Sequence, residues 1–282
     1  MSGRDAALAA LTSVIWGLAF PAIKFGLVSF SAPELTVIRF LIACLPVFVV
    51  RRPRLSWTSM TLIGLTLFTG QFLLLFFAYT RGLPPGLASV TQQMQAFFTV
   101  LLAAVFLRDL PTRGQVLGMV IALIGLVIIG ATVGADLTVP GLGLGLAGAF
   151  SWAVGNVLVK RTAGVPVFPL VVWCSLIPSL PAAAVSAVVD GHVSASAVLS
   201  RASWVSIAAA VYLGTMATTV AYAIWGYLLR RYPAAAIAPF AMIAPCTGIV
   251  ASAMIFGEVF APARYAGIAL ILAGLAVTLR LR

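Results

Sequence analysis

Charged residues are scarce in this sequence, and their scarcity excludes a water-soluble domain. Only 8% of the 282 residues are charged, whereas 62% are hydrophobic. An ordinary soluble domain has about 25% charged residues. Apolar runs of roughly 20 residues, long enough to cross a hydrocarbon layer of about 30 Å, follow one another along the chain. We therefore expect an all-α membrane protein with most of its chain inside the bilayer.

The residues that usually carry chemistry are also few. His192 is the single histidine, and all six acidic residues fall at or beyond the ends of the predicted helices. Without paired acids, a serine with a histidine, or two histidines at membrane depth, the sequence predicts neither catalysis nor a metal site. It has no Walker-type or dinucleotide glycine motif, so no nucleotide cofactor is expected. The acids are Asp5, Glu34, Asp109, Asp136, Asp190 and Glu258.

Cysteine is rare as well. Cys44, Cys174 and Cys246 are odd in number and lie inside apolar stretches. A disulfide framework would have no purpose there, so we expect buried, free thiols.

Ten apolar runs, separated by charged or turn-rich breaks, predict ten membrane helices. The formal net charge of +11 comes from basic residues that occur as singles, pairs and one triplet between apolar segments. This distribution indicates topology signals rather than a nucleic-acid surface. With a cytoplasmic N-terminus, twelve basic residues fall inside and four outside, as the positive-inside rule requires. Both termini are thus predicted to be cytoplasmic, with the start of the chain as an uncleaved first helix. The predicted helices span 5–28, 32–50, 57–80, 86–107, 113–131, 139–162, 167–189, 203–229, 234–257 and 263–281.

The two halves of the chain resemble each other. Sliding the sequence by 136 residues aligns the start of each half, and a shift of 149 aligns the later part. A polar insertion around 190–203, predicted as a loop, absorbs the difference. Because each half has five helices, the second half enters the membrane in the opposite direction, which makes an inverted repeat. We expect repeats at 1–135 and 136–282. The aligned pairs are Trp16 with Trp152, Lys24 with Lys160, Pro33 with Pro169, Pro84 with Pro233, Asp109 with Glu258, Gly118 with Gly267, and Gly125 with Gly274.

Several stretches together resemble a known family. They are Val14–Phe20 with Lys24, Arg39–Phe40, Gly86–Phe98, Ala149–Asn156, Ile224–Tyr232 and Glu258. The whole chain resembles the EamA family of the drug/metabolite transporter superfamily, nearest within it to exporters of O-acetylserine and cysteine and of aromatic amino acids. That resemblance implies ten helices, inverted repeats and efflux of amino-acid-like solutes. One departure is Arg108-Asp109, where the family usually has Gly-Glu.

Polar and aromatic residues at mid-helix depth are the candidates for a substrate pathway, because transporter sites lie near the midplane between repeats. Gln92, Gln95 and Thr99 form a stripe on the fourth helix; glutamines facing lipid would be costly, so they either bond neighbouring helices or line a wet cavity. A lone Gln71 on the third helix has the same two interpretations. Such a cavity carries no fixed charge, which suits zwitterions or neutral solutes, and its aromatic faces could attract an ammonium group. The candidate pathway residues are Trp16, Phe20, Gln71, Gln92, Gln95, Thr99, Trp152, Asn156, Thr219, Tyr222 and Trp225.

Other intramembrane residues are interpreted as structural or gating. Arg39 lies within the second helix, where snorkelling or a bond to backbone carbonyls is favoured over a direct functional role. Pro21, Pro239 and Pro245 interrupt spans and could act as hinges or simply as packing residues. Small residues on the fifth and tenth helices, Gly118, Ala122, Gly125, Gly267 and Gly274, predict a close helix contact.

The sequence therefore predicts an inner-membrane exporter of amino acids and related metabolites that works by alternating access. The alternatives left open are a broad drug/metabolite or nucleotide-sugar carrier and, from another class, a non-transporting scaffold or receptor. The absence of a mid-membrane carboxylate predicts transport down a gradient, or coupling through a group that the sequence does not identify. The expected partners are a small-molecule substrate and the bilayer, with a monomer as the simplest state and no nucleic acid.

Overall fold

The computed structural model describes residues 1–134, 136–162, 164–191 and 194–280. The repeat boundary at residue 135, His192 and Arg282 therefore lie outside the described residues. The secondary structure of the described chain is all helical, as predicted, and nine of its helices are long and apolar enough to cross a membrane. In chain order the helices are α1 (Gly3–Gly26), α2 (Ala32–Ala43), α3 (Trp57–Thr80), α4 (Pro85–Leu107), α5 (Arg113–Ala131), α6 (Val139–Lys160), α7 (Val167–Val189), α8 (Trp204–Arg231), α9 (Ala238–Phe256) and α10 (Pro262–Arg280).

The second helix is shorter than the sequence predicts. A capping box between Ser31 and Glu34 starts α2, which ends at Ala43, and a 3₁₀ turn over Leu45–Phe48 continues it. Pro46 lacks the N–H that an α-helix would bond at this point, so the regular helix stops before it. The predicted helix at 32–50 is thus an α-helix followed by a 3₁₀ turn, and it is the one segment of the ten that falls short of spanning length.

Two long helices contain matched irregularities. The π-helical segments Gly64–Gly70 of α3 and Thr215–Val220 of α8 occupy corresponding places in the two halves. Each receives a hydrogen bond from the first helix of the other half, Ser151 Oγ to Thr66 O at 2.7 Å and Trp16 Nε1 to Ala217 O at 3.0 Å. π-bulges widen a helix locally and are frequent at functional sites.

The fourth helix, which carries the predicted polar stripe, is not continuous. It runs as Pro85–Thr91 and Met94–Leu107, and the backbone between them makes tightened bonds such as Gln93 N to Val90 O at 2.9 Å. The tightening rotates the residues after the break relative to those before it. A shift of 149 residues places this break over the 3₁₀ turn Ala238–Met242 that begins α9.

The three prolines predicted as hinge or packing residues have different surroundings. Pro21 lies inside α1 and is buried, as expected for a residue that interrupts a span. Pro239 is exposed and lies in the 3₁₀ turn Ala238–Met242, whereas Pro245 is buried near the start of the α-helix Ile243–Phe256. Both prolines therefore lie in the N-terminal half of α9.

Helix packing is reciprocal between the two halves. The first helix of each half packs against the third and fourth helices of the other half: α1 against α8 and α9, and α6 against α3 and α4. The pairs α2–α7, α4–α9 and α5–α10 also join corresponding helices. Exchanging the halves therefore maps these contacts onto one another.

The contact between α5 and α10 confirms the prediction from small residues. A Cβ atom added to Gly118 would lie 2.5 Å from Gly274 O, and one added to Gly125 would lie 2.5 Å from Gly267 O. Ala122 lies between them and is fully buried. The backbones approach so closely because no side chain separates them.

Two smaller expectations need correction. The insertion predicted as a loop contains a short helix, Ala195–Ser200, and its Arg201 pairs with Glu34 at the start of α2. Cys44 and Cys174 are free and buried as predicted, whereas Cys246 is free but exposed on α9. An exposed apolar position on a membrane helix costs nothing, because the surrounding lipid is itself apolar.

Candidate substrate pathway

Three of the predicted aromatic residues lie together. The ring centroid of Trp16 lies 5.4 Å from that of Tyr222 and 5.1 Å from that of Trp225. Phe68 extends this aromatic cluster, with its ring 6.5 Å from Tyr222. These contacts join side chains from α1, α3 and α8. These rings are at the spacing and tilt that aromatic pairs favour.

Arg39 lies beside the aromatic cluster and is 3% exposed. Its Nε and Nη2 donate to Thr218 Oγ1 at 3.3 and 3.1 Å, and the guanidinium carbon lies 3.8 Å from the centroid of Phe72. The side chain thus neither snorkels to an interface nor bonds a backbone carbonyl, the two roles favoured from sequence. A hydroxyl of the α8 π segment and an aromatic face hold it instead.

Gln95, Thr99 and Asn156 form a second group, the amide cluster, between α4 and α6. Asn156 Nδ2 donates to Gln95 Oε1 at 2.7 Å and to Thr99 Oγ1 at 3.2 Å. All three side chains are half-buried. The structure therefore brings together three predicted residues from two helices. Asn156 is 61 positions from Gln95 and 57 positions from Thr99 in the sequence.

Gln92 and Gln71 have a different environment from Gln95. Gln92 is 1% exposed, and its Nε2 donates to Gly145 O on α6 at 3.0 Å. Gln71 is also buried, and the Oε1 atoms of both glutamines have no hydrogen-bond partner among the described residues. Gln92 thus bonds a neighbouring helix, one of the two roles left open, while each glutamine keeps one free acceptor at mid-membrane depth.

The remaining predicted residues lie around these groups. Phe20 packs on α9, where a Cβ added to Gly248 would be 3.3 Å from its ring, and Phe20 O accepts from Tyr79 Oη at 3.1 Å. Thr219 bonds Gly214 O of its own helix at 3.1 Å, and Trp152 is half-buried on α6. In the repeat alignment the Phe20–Gly248 contact corresponds to the Asn156–Thr99 contact, so one half is apolar where the other is polar.

Sequence reasoning missed three residues that shape the centre. Phe68, Phe72 and Thr218 contact predicted residues, yet nothing distinguishes them in a run of apolar and small residues. The repeat offers one signal for Thr218, because it places this residue over Thr69, and both bond the carbonyl five residues earlier at the matched π segments.

Ion pairs lie at the two opposite ends of α4. Beyond its last turn, Lys160 donates directly to Asp109, which follows Arg108. At its first turn, Glu258 Oε2 accepts from Gly86 N at 2.9 Å, while Lys24 Nζ lies 4.0 Å from Oε1. The pairs correspond in the repeat alignment, and each joins one half to the other.

The departure from the family pattern at Arg108 has a conformational consequence. Arg108 has φ 55°, and Gly257, which the alignment places opposite it, has φ 66°. Both residues end a fourth helix in left-handed geometry, which favours glycine. Asp109 nevertheless makes the same kind of pair as Glu258, so the loop keeps its shape despite the missing glycine.

The Lys24–Glu258 end opens into a cavity of about 540 Å³. Burial raises the pKa of Glu258 above its ordinary value, against the opposing effects of the Gly86 N–H and Lys24. Across the cavity, the hydrogen bond from Arg264 lowers the pKa of Asp136. The cavity is lined by residues including Lys24, Tyr79, Pro84, Asp136, Glu258 and Phe260.

Known proteins resemble the chain over almost its whole length. A model of the EamA-like transporter family matches twice, over residues 5–131 and 139–280. A probable amino-acid metabolite efflux pump of Salmonella typhimurium is 40% identical, covering 98% of this chain and 94% of its own. Another of that description, from Escherichia coli, is 35% identical with the same coverage. A probable terminal-alkyne amino-acid exporter of Streptantibioticus cattleyicolor is 30% identical, covering 94% of this chain and 89% of its own.

A solved crystal structure shares the fold, with a TM-score of 0.65 and 20% identity over 98% of each chain. The resemblance inferred from the sequence motifs is confirmed by the family model and by the full-length relatives. The chain belongs to the EamA-like transporter family.

Proposed function

We propose that this protein exports amino acids and related small metabolites across a bacterial inner membrane. The observation that carries the proposal is the presence of an aromatic cluster and of a separate group of amides at mid-membrane depth, where hydrocarbon alone would favour apolar side chains. Aromatic faces attract the ammonium group of an amino acid, and amides can bond its polar groups. The names of the full-length relatives, amino-acid efflux pumps and an exporter, support the same substrate class.

The ten segments are proposed to form two inverted repeats, at 1–135 and 136–282, with both termini in the cytoplasm. The reciprocal packing of α1–α5 and α6–α10 and the two family matches support this arrangement. The excess of basic residues on one side supports the orientation.

In this proposal α2 also crosses the membrane and brings the number of spans to ten. Twelve α-helical residues rise about 18 Å and four 3₁₀ residues about 8 Å, close to the thickness of the hydrocarbon core. Ser31 Oγ, before α2, donates to Asp190 at the end of α7 at 2.6 Å. Val50 O, after α2, accepts from Trp173 Nε1 in the first part of α7 at 2.9 Å. The segment therefore runs alongside α7, which has spanning length.

The two matched ion pairs are proposed as the gates of alternating access. With a cytoplasmic N-terminus, Lys24–Glu258 is the outer gate and Lys160–Asp109 the inner gate. Each gate joins the two halves at one end, so rocking of one half against the other would break one pair while it closes the other. In one state of such a mechanism the inner gate is closed and the outer gate is open. The direct contact at the inner gate and the longer separation at the outer gate fit that state.

Uptake of labelled amino acids into proteoliposomes tests the function. The panel contains cysteine, O-acetylserine, leucine and phenylalanine, with UDP-glucose and ethidium as probes for the two alternative carrier classes and protein-free vesicles as the blank. We expect uptake of several amino acids and not of UDP-glucose. Gln95→Ala should lower amino-acid uptake by about three- to tenfold, because it removes the acceptor for Asn156. Uptake of ethidium or UDP-glucose alone, or of no probe, would contradict the proposal.

A further inference from the structure

We propose that Arg39 binds the carboxylate of the transported solute, which makes it the anion anchor of the pathway. This inference rests on the proposed function, since it names the chemical group of the substrate that the site recognises. The inference is based on the buried guanidinium of Arg39, which lacks a counter-ion and has one nitrogen without a hydrogen-bond partner among the described residues.

The charge on Arg39 has no counter-ion in the described part of the chain. All six acidic residues are described and lie at or near helix ends, and the four ion pairs found there do not include Arg39. A buried charge without a partner is strongly unfavourable, and proteins retain such a group mainly where it has a function. A mobile anion that arrives with each transport cycle would supply the missing charge.

The guanidinium is held so that one nitrogen has no hydrogen-bond partner in the part of the chain that the structure describes. Thr218 Oγ1 accepts from Nε and Nη2, and the Phe72 ring lies against the plane of the group. Nη1 is buried and has no hydrogen-bond partner. A planar guanidinium fixed on one edge and stacked on a ring is prepared to bind a carboxylate with its remaining N–H groups.

The neighbours of Arg39 suit the rest of an amino acid. Phe72 is 3.8 Å from the guanidinium, Phe40 lies 5.5 Å from both Phe68 and Phe72, and Phe68 contacts Tyr222 in the aromatic cluster. A carboxylate bound at Arg39 would thus place the ammonium and side chain against aromatic faces, which attract cations.

Access to Arg39 requires movement, because Nη1 is sealed in this state. Its tether Thr218 belongs to the π-helical segment Thr215–Val220, and Trp16 bonds Ala217 O in the same segment. π segments interrupt the regular α-helical hydrogen bonding and are frequent at functional sites. We therefore place the opening of the anchor at this segment of α8.

The test compares acids with their amides, first as ligands of the purified protein. Binding of L-phenylalanine, 3-phenylpropionate and L-phenylalaninamide is measured by ligand-induced thermal stabilisation and by competition with amino-acid uptake. For the wild type we expect the two acids to bind at least about tenfold more tightly than the amide, as a charge-assisted bidentate contact would provide. In Arg39→Gln the ratio should fall to within about twofold, with amide binding retained.

Arg81→Gln is the matched control, because Arg81 is exposed at the end of α3 and its loss removes the same charge. This variant should keep the wild-type ratio. A wild type that does not prefer acids, or an Arg39→Gln protein that keeps the preference, overturns the anchor. Acid binding without amino-acid uptake would leave the anchor supported and refute the proposed function. Amino-acid uptake by the wild type, together with an unchanged acid-to-amide ratio in Arg39→Gln, would support the proposed function and refute the anchor.

Arg39→Lys decides the matter if Arg39→Gln does not fold. Lysine keeps the charge but loses the fork of N–H groups, so the ratio should fall to about threefold. Thr218→Val, which removes the tether, should lower the ratio as well, whereas Thr36→Val on α2, whose hydroxyl bonds only Ala32 O of its own helix, should not. Unchanged ratios in both Arg39→Lys and Thr218→Val overturn the proposal.

Discussion

At the scale of residues, two carboxyl groups whose pKa values are shifted in opposite directions line the cavity at the end of α1. Burial raises the pKa of Glu258, while Arg264 lowers that of Asp136. Folding therefore favours the protonated form of Glu258 and the ionised form of Asp136. The stability of the protein should depend on pH in opposite directions through these two groups.

The sign for Glu258 follows from its raised pKa. Between the ordinary and the raised value, the folded protein holds a proton that the unfolded chain has lost, so the free energy of unfolding falls as pH rises through that window. We expect Glu258→Gln to remove this fall in a series of melting temperatures measured above pH 4.5. Asp136→Asn should act with the opposite sign, since stability from the ionised carboxylate is lost as pH falls through its lowered pKa. A Glu258→Gln protein with the wild-type pH profile would refute the assignment.

Gln92 and Gln95 belong to one predicted stripe, but mutation of Gln92 should mainly lower stability and mutation of Gln95 should mainly lower uptake. Gln92→Ala removes the bond to Gly145 O on α6 and should lower stability by about 1 kcal/mol, seen as a lower melting temperature. Gln95→Ala should lower uptake more than stability, because Gln95 belongs to the half-buried amide cluster. Gln93→Ala is the control, since Gln93 bonds only Ser89 O of its own helix at 3.4 Å. Equal losses of stability for Gln92→Ala and Gln93→Ala would contradict this distinction.

At the scale of elements, the α5–α10 contact depends on missing side chains. Gly125→Ala would place a methyl group 2.5 Å from Gly267 O, where only backbone can yield. We expect a loss of about 1–3 kcal/mol from overpacking, measured as a lower melting temperature in detergent. Gly130→Ala in the same helix meets nothing within 4 Å and should leave the melting temperature unchanged or slightly higher. If both substitutions had the same effect, the contact would not be limited by backbone approach.

The existence of the helices could be predicted from the sequence, but their interior irregularities could not. Long apolar runs determine that a segment crosses the membrane, because every backbone group must be bonded within it. The π segments at Gly64–Gly70 and Thr215–Val220, and the break at Gln92, carry no local signal of their own. They depend on hydrogen bonds from other helices, such as Trp16 to Ala217 O, which appear only when the helices pack.

At the scale of the whole molecule, the gates should set the balance between two states. Exposed ion pairs contribute about 0.5–1 kcal/mol, so breaking one should shift that balance by about two- to fivefold. The readout is labelling of Leu83→Cys, buried beside the outer cavity, by an impermeant maleimide in a background without the three native cysteines. Lys24→Gln should speed labelling from outside, and Lys160→Gln should slow it. A change of the same sign in both variants would contradict the gating role.

The sequence alone determined that the chain is helical, lies in a membrane and belongs to one transporter family. Hydrophobic length, the positions of the basic residues and the spacing of Trp16, Lys24 and their repeat partners are local properties, readable along one chain. Residue type at mid-helix depth also singled out most members of the aromatic and amide clusters, because polar and aromatic residues in an apolar span stand out wherever they point.

Only the tertiary structure decided which of those residues act together. It joined Asn156 to Gln95, separated Gln92 from that cluster, and placed Arg39 against Thr218 and Phe72 instead of at an interface. The physical reason is that these contacts cross between helices far apart in sequence. Their geometry is set by how the two halves pack, which no single helix specifies.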